Sequence, residues 1–496
     1  MLFYNMSLPS NVGIPQECKS GLDYSLPQDA KSFSVKVQPS NVASVVMGPV
    51  SLPTTASSYL NDPVVPSQSI IFDLPTGGSP SQFLDTRMST LCFQVTATYG
   101  IAPAPATANP TGAYLRGGAY SYFDRLSVVS QNGAIIEDIS EFGLIQDTLV
   151  SLQMNNAVRH GLAINYGFDV NNTIVASQGH KWNNVYTGAA GTDAETHTYA
   201  IPLCSGILGC LADKFLNIGR TSKLQLVLQT SQVLPVTLGV GGTAYTAGTM
   251  IFTLSNIFLQ LEYVDIGMSA LGILDSSLVD GKSYSHATTY RTTSTNYPVS
   301  GGSTSLLAGI RASSVKSLFC RFAQGSGTSS VANGLHGKYN SFNPSLNSIN
   351  FNVGGIRYPQ TPVNPLLNPA LAMAETQKAI GSFNSATMNS CIVPSSYCRL
   401  SAGAAPQSFT VSGVQDYNWS SGTDAVGVQS QFIFGENVEV CAKRSLLSGL
   451  NCTSAPIFLE VNASQAVTAA HTVYVQAMLD MIIIHDVATG DIQTRV

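Results

Sequence analysis

The stretch YFDRLSVVSQNGAIIEDISEFGLIQDTLVSL, residues Tyr122–Leu152, decides how this chain is expected to fold. Two apolar runs flank Asn132-Gly133. This pattern favours a hairpin with a type I′ turn, because both central residues of that turn need φ > 0. Asp138, with Glu141 three residues later, is typical of a capping box at the start of a helix. The stretch therefore predicts a strand, a tight turn, a second strand and a short helix.

The predicted helix runs from about Ser140 to Met154. Its apolar residues recur at helical spacing and would bury one face against the neighbouring sheet: Phe142, Ile145, Leu149 and Leu152. Alternating apolar residues predict strands elsewhere, most clearly at 224–228 and 257–263. Residues 155–200 have no such pattern and are interpreted as a long irregular insertion. Many short strands with Gly and Pro turns, and few helices, favour a β-sandwich or jelly-roll protein.

The second half of the chain repeats this order of features. Gly354, in a Gly-Gly turn, lies 221 residues after Gly133, and Gly449 of a Ser-Gly pair lies 243 residues after Gly206 of another. A helix-permissive stretch at 366–383 follows the second turn, as the predicted helix follows the first. Because several features recur in one order, the sequence predicts two similar β domains of roughly 220–240 residues.

Few residues of this 496-residue chain are charged. Charged residues make up 10%, whereas a typical soluble domain has about 25%. Weak self-repulsion favours association, so the composition points to a subunit that assembles. The net charge is −5 and no basic run is longer than Lys443-Arg444. These features argue against nucleic-acid binding through a polybasic arm, and we expect no sequence-specific nucleic-acid binding.

Membrane, secretion and disulfide signals are weak in this sequence. No apolar run approaches the ~18–20 residues of a membrane span. The N-terminus MLFYNMSLPS lacks the basic region and apolar core of a secretory signal. The nine cysteines are an odd number at irregular spacings without a CxxC motif. We therefore interpret them as free thiols in a reducing compartment.

Candidate catalytic and metal-binding residues are few. We considered carboxylate pairs for glycoside hydrolysis, cysteine pairs for zinc, and histidines as catalytic bases: Glu436/Glu439, Asp480/Asp486, Cys204/Cys210, Cys391/Cys398, His471 and His485. The acids are better explained as solvated or turn-capping groups, the cysteines lack a histidine partner, and the histidines flank strand ends. The sequence thus predicts no catalytic residue, no metal ligand and no cofactor.

A family resemblance rests on several of these runs. FDRLSVVSQNGAIIEDISEFGLIQDTL, IPLCSGILG and SKLQLVLQ resemble the first domain of double jelly-roll major capsid proteins, closest to those of polinton-like viruses and virophages. LLSGLNCTSAPIFLEV and VYVQAMLDMIIIHDVATGDIQTRV resemble their second domain. The resemblance spans most of residues 33–496, although each motif is a pattern of turn and strand. It implies an all-β fold of two tandem eight-stranded jelly rolls with short helices in loops.

The Pro/Ser-rich residues 1–32 and the Gly, Ser and Asp residues of 265–294 indicate the domain limits, and the resemblance implies a function. An N-terminal arm would occupy residues 1–32, the first jelly roll 33–266, a connector 267–294 and the second jelly roll 295–496. The chain would be a structural subunit, not an enzyme. It would form pseudo-hexagonal homotrimeric capsomers that tile an icosahedral shell around a double-stranded DNA genome. Its partners would be copies of itself, neighbouring capsomers, and penton and minor or cement capsid proteins, with an internal membrane beneath the shell in some family members. It would be found in the virion, after synthesis and assembly inside the host cell.

Two alternatives come from other functional classes. A secreted two-domain β-sandwich lectin or adhesin would need a signal peptide, bridged cysteines and a sugar-binding face with Trp. A β-sandwich hydrolase would need two carboxylates that converge in one cleft.

Overall fold

A computed structural model describes most of the chain. The described residues are 30–52, 66–101, 113–167, 179–182, 194–209, 211, 215–232, 236–238, 248–276, 278–298, 302–324, 338–339, 341–383, 390–392, 397–400, 420–421, 431–440, 448–463 and 471–496. The predicted arm lies almost wholly outside these ranges and stays a prediction.

Strands dominate both halves. Those of the first half are β1 (Lys31–Val37), β2 (Val45–Leu52), β3 (Ser69–Asp73), β4 (Gln82–Ile101), β5 (Ala113–Arg116), β6 (Phe123–Ser130), β7 (Ile135–Ser140), β8 (Gly179–Trp182), β9 (Ala194–Pro202), β10 (Phe215–Leu216), β11 (Leu224–Thr230), β12 (Val236–Leu238) and β13 (Gly248–Asp265). Those of the second half are β14 (Lys282–Tyr297), β15 (Gly302–Ala308), β16 (Val315–Gln324), β17 (Leu346–Val353), β18 (Ile356–Val363), β19 (Arg399–Leu400), β20 (Ser420–Ser421), β21 (Ile433–Asn437), β22 (Ile457–Ala463), β23 (His471–Asp486) and β24 (Ile492–Arg495).

Short helices lie in the connections. The α-helices are α1 (Phe142–Gln153), α2 (Asn156–Gly161), α3 (Ala163–Tyr166), α4 (Gly267–Ser276) and α5 (Pro369–Ile380). Two 3₁₀ turns span Gly118–Tyr122 and Ile218–Arg220.

The two main sheets of each half have the same topology, and β12-β5-β8 and β19-β20 form two further small sheets. In the first half the orders are β1-β13-β4-β10, with β2 beside β13 and β9 beside β4, and β3-β11-β6-β7. In the second half they are β14-β23-β16-β21 and β15-β22-β17-β18. If β1 with β2, and β9 with β10, each count as one strand, both halves read 1-8-3-6 in a first sheet and 2-7-4-5 in a second. This antiparallel order is that of an eight-stranded jelly roll, so the predicted fold is confirmed. We call the halves the first roll and the second roll.

Each roll has an apolar core between its sheets. The seventh strands, β11 and β22, have the same alternation of buried and half-buried residues, as expected for strands with one face in a core. The core of the first roll does not end at its own sheets. It continues into the second roll through Ala287, Tyr290, Phe319, Ile433 and Met481. The two rolls therefore meet across a packed junction.

The hairpin between β6 and β7 is present, but its turn is not type I′. Gly133 has φ of +77°, whereas Asn132 has no positive φ. The Gly133 N–H donates to the Ser130 carbonyl at 2.9 Å. The connection is thus a turn followed by a left-handed glycine, the common three-residue alternative, and a bulge follows in the β6–β7 pairing. The type I′ geometry occurs instead at Gly354-Gly355, whose φ values are +59° and +92°.

Helix α1 is present, but its predicted capping box is wrong. Asp138 lies within β7 and binds Arg125 through two hydrogen bonds of 2.6 and 2.7 Å. Glu141 is the N-cap residue in a left-handed conformation, and its side chain makes no capping hydrogen bond. Asp138 lies in the strand because its carboxylate pairs there with Arg125 on the neighbouring strand. A capping position would not provide this partner.

Two stretches without evident periodicity contain long strands. Residues 194–200, the end of the predicted irregular insertion, belong to β9, which pairs with β4. Residues 282–294, within the predicted connector, belong to β14 and pair with β23. Both sequences, AETHTYAIP and KSYSHATTYRTTSTNY, contain several Thr and Tyr residues. Such residues suit strands but hide the alternation of apolar and polar positions. We propose residues 267–281, which include α4, as the connector.

Candidate functional site: the junction and outer faces of the rolls

The predicted carboxylate pairs do not converge. Asp480 and Asp486 are six residues apart on the single strand β23, a separation of about 20 Å at the rise of a strand. Glu436 is buried on β21, whereas Glu439 accepts a hydrogen bond of 2.7 Å from Ser448. The structure instead brings together one acid from each pair, because Lys316 Nζ lies 3.4 Å from Glu439 and 3.5 Å from Asp480.

Asp480 is held as a buried carboxylate. Burial alone would raise its pKa, but hydrogen bonds from His286 and Ser314 and the charge of Lys316 outweigh burial and hold the pKa below its usual value. The Ser448 N–H adds a further bond of 3.0 Å. A carboxylate with its oxygens occupied in this way stabilises a loop and is not available as a base.

The surroundings of the candidate histidines and cysteines indicate structural roles. His471 begins β23 and His485 lies one residue before its end, and both side chains are buried. Cys204, Cys391 and Cys398 are buried free thiols, and Cys210 lies outside the described residues. Within the described part of the chain, no group of three or more His, Cys, Asp or Glu residues could hold a metal ion.

Helix α1 lies at the centre of the junction between the rolls. Asp147 on α1 accepts a hydrogen bond of 2.7 Å from Arg321 on β16 of the second roll, and both side chains are almost fully buried. Arg321 also donates to Thr148 on α1 at 3.1 Å and to the Tyr339 carbonyl at 3.0 Å. A Cβ on Gly143 would lie 2.6 Å from Tyr339 Oη, so this glycine allows the second roll to pack closely on the helix.

A second ion-pair cluster joins the rolls nearby. Lys338 of the second roll lies 2.7 Å from Asp124 and 2.6 Å from Glu141, both of the first roll. Burial would lower the pKa of Lys338, but the neighbouring negative charges outweigh it and raise the pKa. This lysine is therefore held charged between two carboxylates.

The two Ser-Gly pairs each bind a buried carboxylate. The Ser205 hydroxyl and the Gly206 N–H donate to Glu137 on β7, which also accepts a bond of 3.0 Å from Thr289 on β14 of the second roll. Burial raises the pKa of Glu137 and these hydrogen bonds oppose that shift. In the second roll, the Gly449 N–H donates to Ser314 Oγ, and Ser448 binds Asp480. The pair of the first roll lies between β9 and β10, within the sixth strand, whereas the pair of the second roll lies between β21 and β22, the sixth and seventh strands.

Sequence reasoning did not find the junction residues. Arg321 lies in the apolar segment LFCRFA of the strand VKSLFCRFAQ, and an arginine among buried apolar residues is a local signal of a charged partner. Its partner Asp147 is 174 residues away along the chain, which no local pattern reveals.

Large apolar side chains are exposed on both rolls and on the connector. They are Phe33, Val46, Met88, Ile135, Ile164, Phe215, Met268, Ile273, Leu274, Val279, Tyr284, Leu307, Ile356, Leu367, Leu371, Phe383 and Val440. Single exposed apolar residues are common on soluble proteins, so only those that lie together in a patch mark a surface that contacts other proteins. No helix in the described ranges has the length and apolar character needed to cross a membrane.

Comparisons with known proteins identify the fold. No family model and no curated protein matches the chain. Among solved structures, a chain of the Sputnik virophage cryo-EM structure is 14% identical, with a TM-score of 0.54 over 99% of this chain and 94% of that chain. PBCV-1 VP54, fitted into a reconstruction of the virophage Sputnik, is 10% identical, with a TM-score of 0.51 over 95% and 98%. The Faustovirus major capsid protein is 9% identical, with a TM-score of 0.50 over 94% of each chain.

The predicted resemblance is therefore confirmed at the level of the fold. The strand orders of the two rolls and their match to these structures agree over nearly the whole length of both chains. This chain has the double jelly-roll fold of viral major capsid proteins.

Proposed function

We propose that this chain is a major capsid protein, a structural subunit of a virion. The observation that carries the proposal is the fold match over almost all of this chain and of its structural neighbours, which include the Faustovirus major capsid protein. The low fraction of charged residues, 10%, and the exposed apolar side chains support a protein that covers its surface by self-association.

The subunits associate as homotrimers in this proposal. Each chain contributes two similar rolls, so three copies present six rolls in a ring with a pseudo-hexagonal outline. Such capsomers tile an icosahedral shell around a double-stranded DNA genome, after synthesis and assembly inside the host cell. Penton proteins, minor or cement capsid proteins and, in some shells, an internal membrane are the neighbours proposed for the capsomer.

No observation favours the lectin or adhesin. That reading needs cysteines in disulfide bridges, and the six described cysteines are all free thiols. The hydrolase reading needs convergent carboxylates in one cleft. Of the carboxylates considered for catalysis, Glu439 and Asp480 converge on Lys316, and both are occupied by lysine and hydroxyl partners.

Size-exclusion chromatography with light scattering tests the proposal. We expect one species of about three times the 52.3 kDa chain mass at micromolar concentration in mild salt. Electron microscopy of that species should show a pseudo-hexagonal outline. A monodisperse monomer that binds glycans would overturn the proposal in favour of the lectin.

A further inference from the structure

Strand β24 lies outside the eight-strand pattern of both rolls. Strand β14 pairs with one edge of β23 along its whole length, from Asp486 to His471. On the other edge, β16 pairs with β23 only between Leu479 and His471. Strand β24 pairs with β23 at Ile482–His485, so it covers the part of this second edge that β16 does not reach.

Alternate residues of β24 face the first roll. Ile492 is 5% exposed and belongs to the same apolar cluster as the first-roll core. The Thr494 hydroxyl donates to the Ile136 carbonyl on β7 at 2.6 Å. Gln493 and Arg495, at the alternate positions, are exposed. The backbone of β24 is therefore bonded to the second roll, while one of its faces packs on the first roll.

The turn before β24 and the residue after it extend these contacts. The Gly490 carbonyl accepts a hydrogen bond of 2.7 Å from the Ser222 N–H of the first roll. Gly490 has φ of +75°, and a Cβ there would lie 2.8 Å from the Arg220 carbonyl oxygen, so this turn packs closely on the first roll. At the other end, the Val496 carbonyl accepts a bond of 3.1 Å from the Ser313 N–H of the second roll.

We call residues 487–496 the C-terminal strap. The strap binds to parts of both rolls: β23 of the second, and β7 and the loop at Ser222 of the first. Its site is therefore complete only when the two rolls are in contact. Thr494 and Ile136 are 358 residues apart along the chain, and closing so long a loop is costly unless other contacts already hold its ends together.

We propose that the strap is a reversible fastener of the junction, which binds the groove between the rolls as an extended peptide and leaves it while both rolls stay folded. The groove recognises a segment with alternate apolar or hydroxyl residues, added as a strand to the edge of β23. Release of the strap frees the backbone groups of Ile482–His485, an apolar edge that can pair with another strand. The inference does not depend on the proposed trimer, because every contact that carries it lies within one chain.

A chain without the strap tests the proposal. The shortened chain lacks residues 487–496 and is mixed with a fluorescent peptide of that sequence, VATGDIQTRV. The junction keeps its other contacts, including the ion pair of Asp147 with Arg321. We therefore expect unchanged circular dichroism and saturable peptide binding at one site per chain. The full-length chain should bind the peptide far less, because its own strap competes at a high effective concentration.

Two variant peptides with one added charge each test the register of the strap. Ile492→Glu places a charge in the shared apolar cluster and should weaken binding by about 100-fold or more. Gln493→Glu adds the same charge at the next residue, which is exposed, and should bind as the unchanged peptide does. Equal binding of the two variants would contradict the placement of Ile492 in the groove.

Hydrogen exchange in the full-length chain tests the proposal without a deletion. The amides of Ser222 and Ser313 donate to the strap. They should exchange faster than the amides of β11, an inner strand of its sheet, because the strap opens without unfolding of the rolls. In the full chain, Ile492→Glu should speed exchange at Ser222 and Ser313 by about tenfold or more and leave β11 unchanged. Gln493→Glu should change neither.

The outcomes separate a reversible strap from a fixed part of the fold. Loss of the strand signal in the shortened chain would overturn the proposal, and so would exchange of the Ser222 and β11 amides at one common rate. In either case the strap could not leave without unfolding of the rolls. Equal peptide binding by the shortened and full-length chains would mean a different site and would also overturn it. None of these results depends on the oligomeric state, which tests the proposed function.

Discussion

Gly133 is held in a conformation that other residues rarely adopt. Its φ is +77°, and an added Cβ would meet no atom within 4 Å. The position therefore requires a left-handed backbone conformation but leaves room for a side chain. The same residue type ends the turn in the second roll, where both central glycines have positive φ.

We expect Gly133→Val to lower the free energy of unfolding by about 1–3 kcal/mol, because a β-branched residue is strained at positive φ. Gly133→Asn is the matched control, since Asn tolerates the left-handed region, and its cost should be smaller. Urea unfolding monitored by circular dichroism measures both. Equal stability of Gly133→Val and the wild type would contradict a strict need for this conformation.

Glu436 is a buried acid without a hydrogen-bond partner for its Oε2 atom. Burial, reinforced by the nearby Glu375 charge, raises its pKa to about 8, although Lys378 opposes the shift. The folded state thus favours the neutral carboxyl, whereas the unfolded state ionises near the ordinary value of 4.5. The stability that depends on this proton is fully present below about pH 4.5 and is lost as the pH rises towards about 8.

The variant Glu436→Gln stays neutral at every pH and isolates this effect. Between about pH 5 and pH 8 the wild type should lose up to about 1.4 kcal/mol of stability per pH unit relative to the variant. Denaturant unfolding of both proteins at several pH values gives the comparison. Parallel stability profiles for the two proteins would show that Glu436 ionises normally in the fold.

The position of helix α1 was predicted from the sequence, but its burial on both faces was not. Its four apolar residues at helical spacing are all buried, as the sequence indicates. The polar residues Gln146, Asp147, Thr148 and Ser151 are buried as well, because the second roll covers the face that a surface helix would give to water. The spacing of apolar residues predicts one buried apolar face. It cannot predict that a polar face is also buried against polar partners.

The ion pair between Asp147 and Arg321 tests how much the buried polar face of α1 contributes to stability. Arg321→Leu would leave a buried carboxylate unpaired and should lower stability by about 3–5 kcal/mol. Changing both residues together, Arg321→Leu with Asp147→Leu, should recover much of the loss, because no unpaired charge remains. A double-mutant cycle from denaturant unfolding measures the coupling. A double variant whose loss of stability equals the sum of the losses of the two single variants, Arg321→Leu and Asp147→Leu, would show that the two residues are not coupled.

At the scale of the whole molecule, the order of features along the chain predicted the duplicated topology. The Asn-Gly and Gly-Gly hairpins both join the fourth and fifth strands of their rolls, whereas the Ser-Gly loops lie within the sixth strand of the first roll and after the sixth strand of the second. The junction could not be predicted in this way, since Arg321 and Lys338 bind acids of the other roll, 174 and 214 residues away. Local sequence carries strand and turn preferences, but it does not encode which distant surfaces meet.

The continuous core implies that the two rolls remain together without the covalent connector. Residues of β14, β16 and β23 are buried in the same cluster as the first-roll core, and ion pairs at Arg321 and Lys338 cross the junction. A protease site inserted between Ser276 and Lys282 would cut the chain in the connector, outside both rolls.

We expect the cut protein to run at the same size as the uncut protein on gel filtration and to unfold in one thermal transition, because separation would expose the shared core to water. The two fragments should part only in denaturant. The Arg321→Leu variant, cut at the same site, should release its fragments more readily, since the junction is then missing its central ion pair. Free fragments from the cut wild-type protein in native buffer, or two separate calorimetric transitions, would mean that the rolls are independent domains.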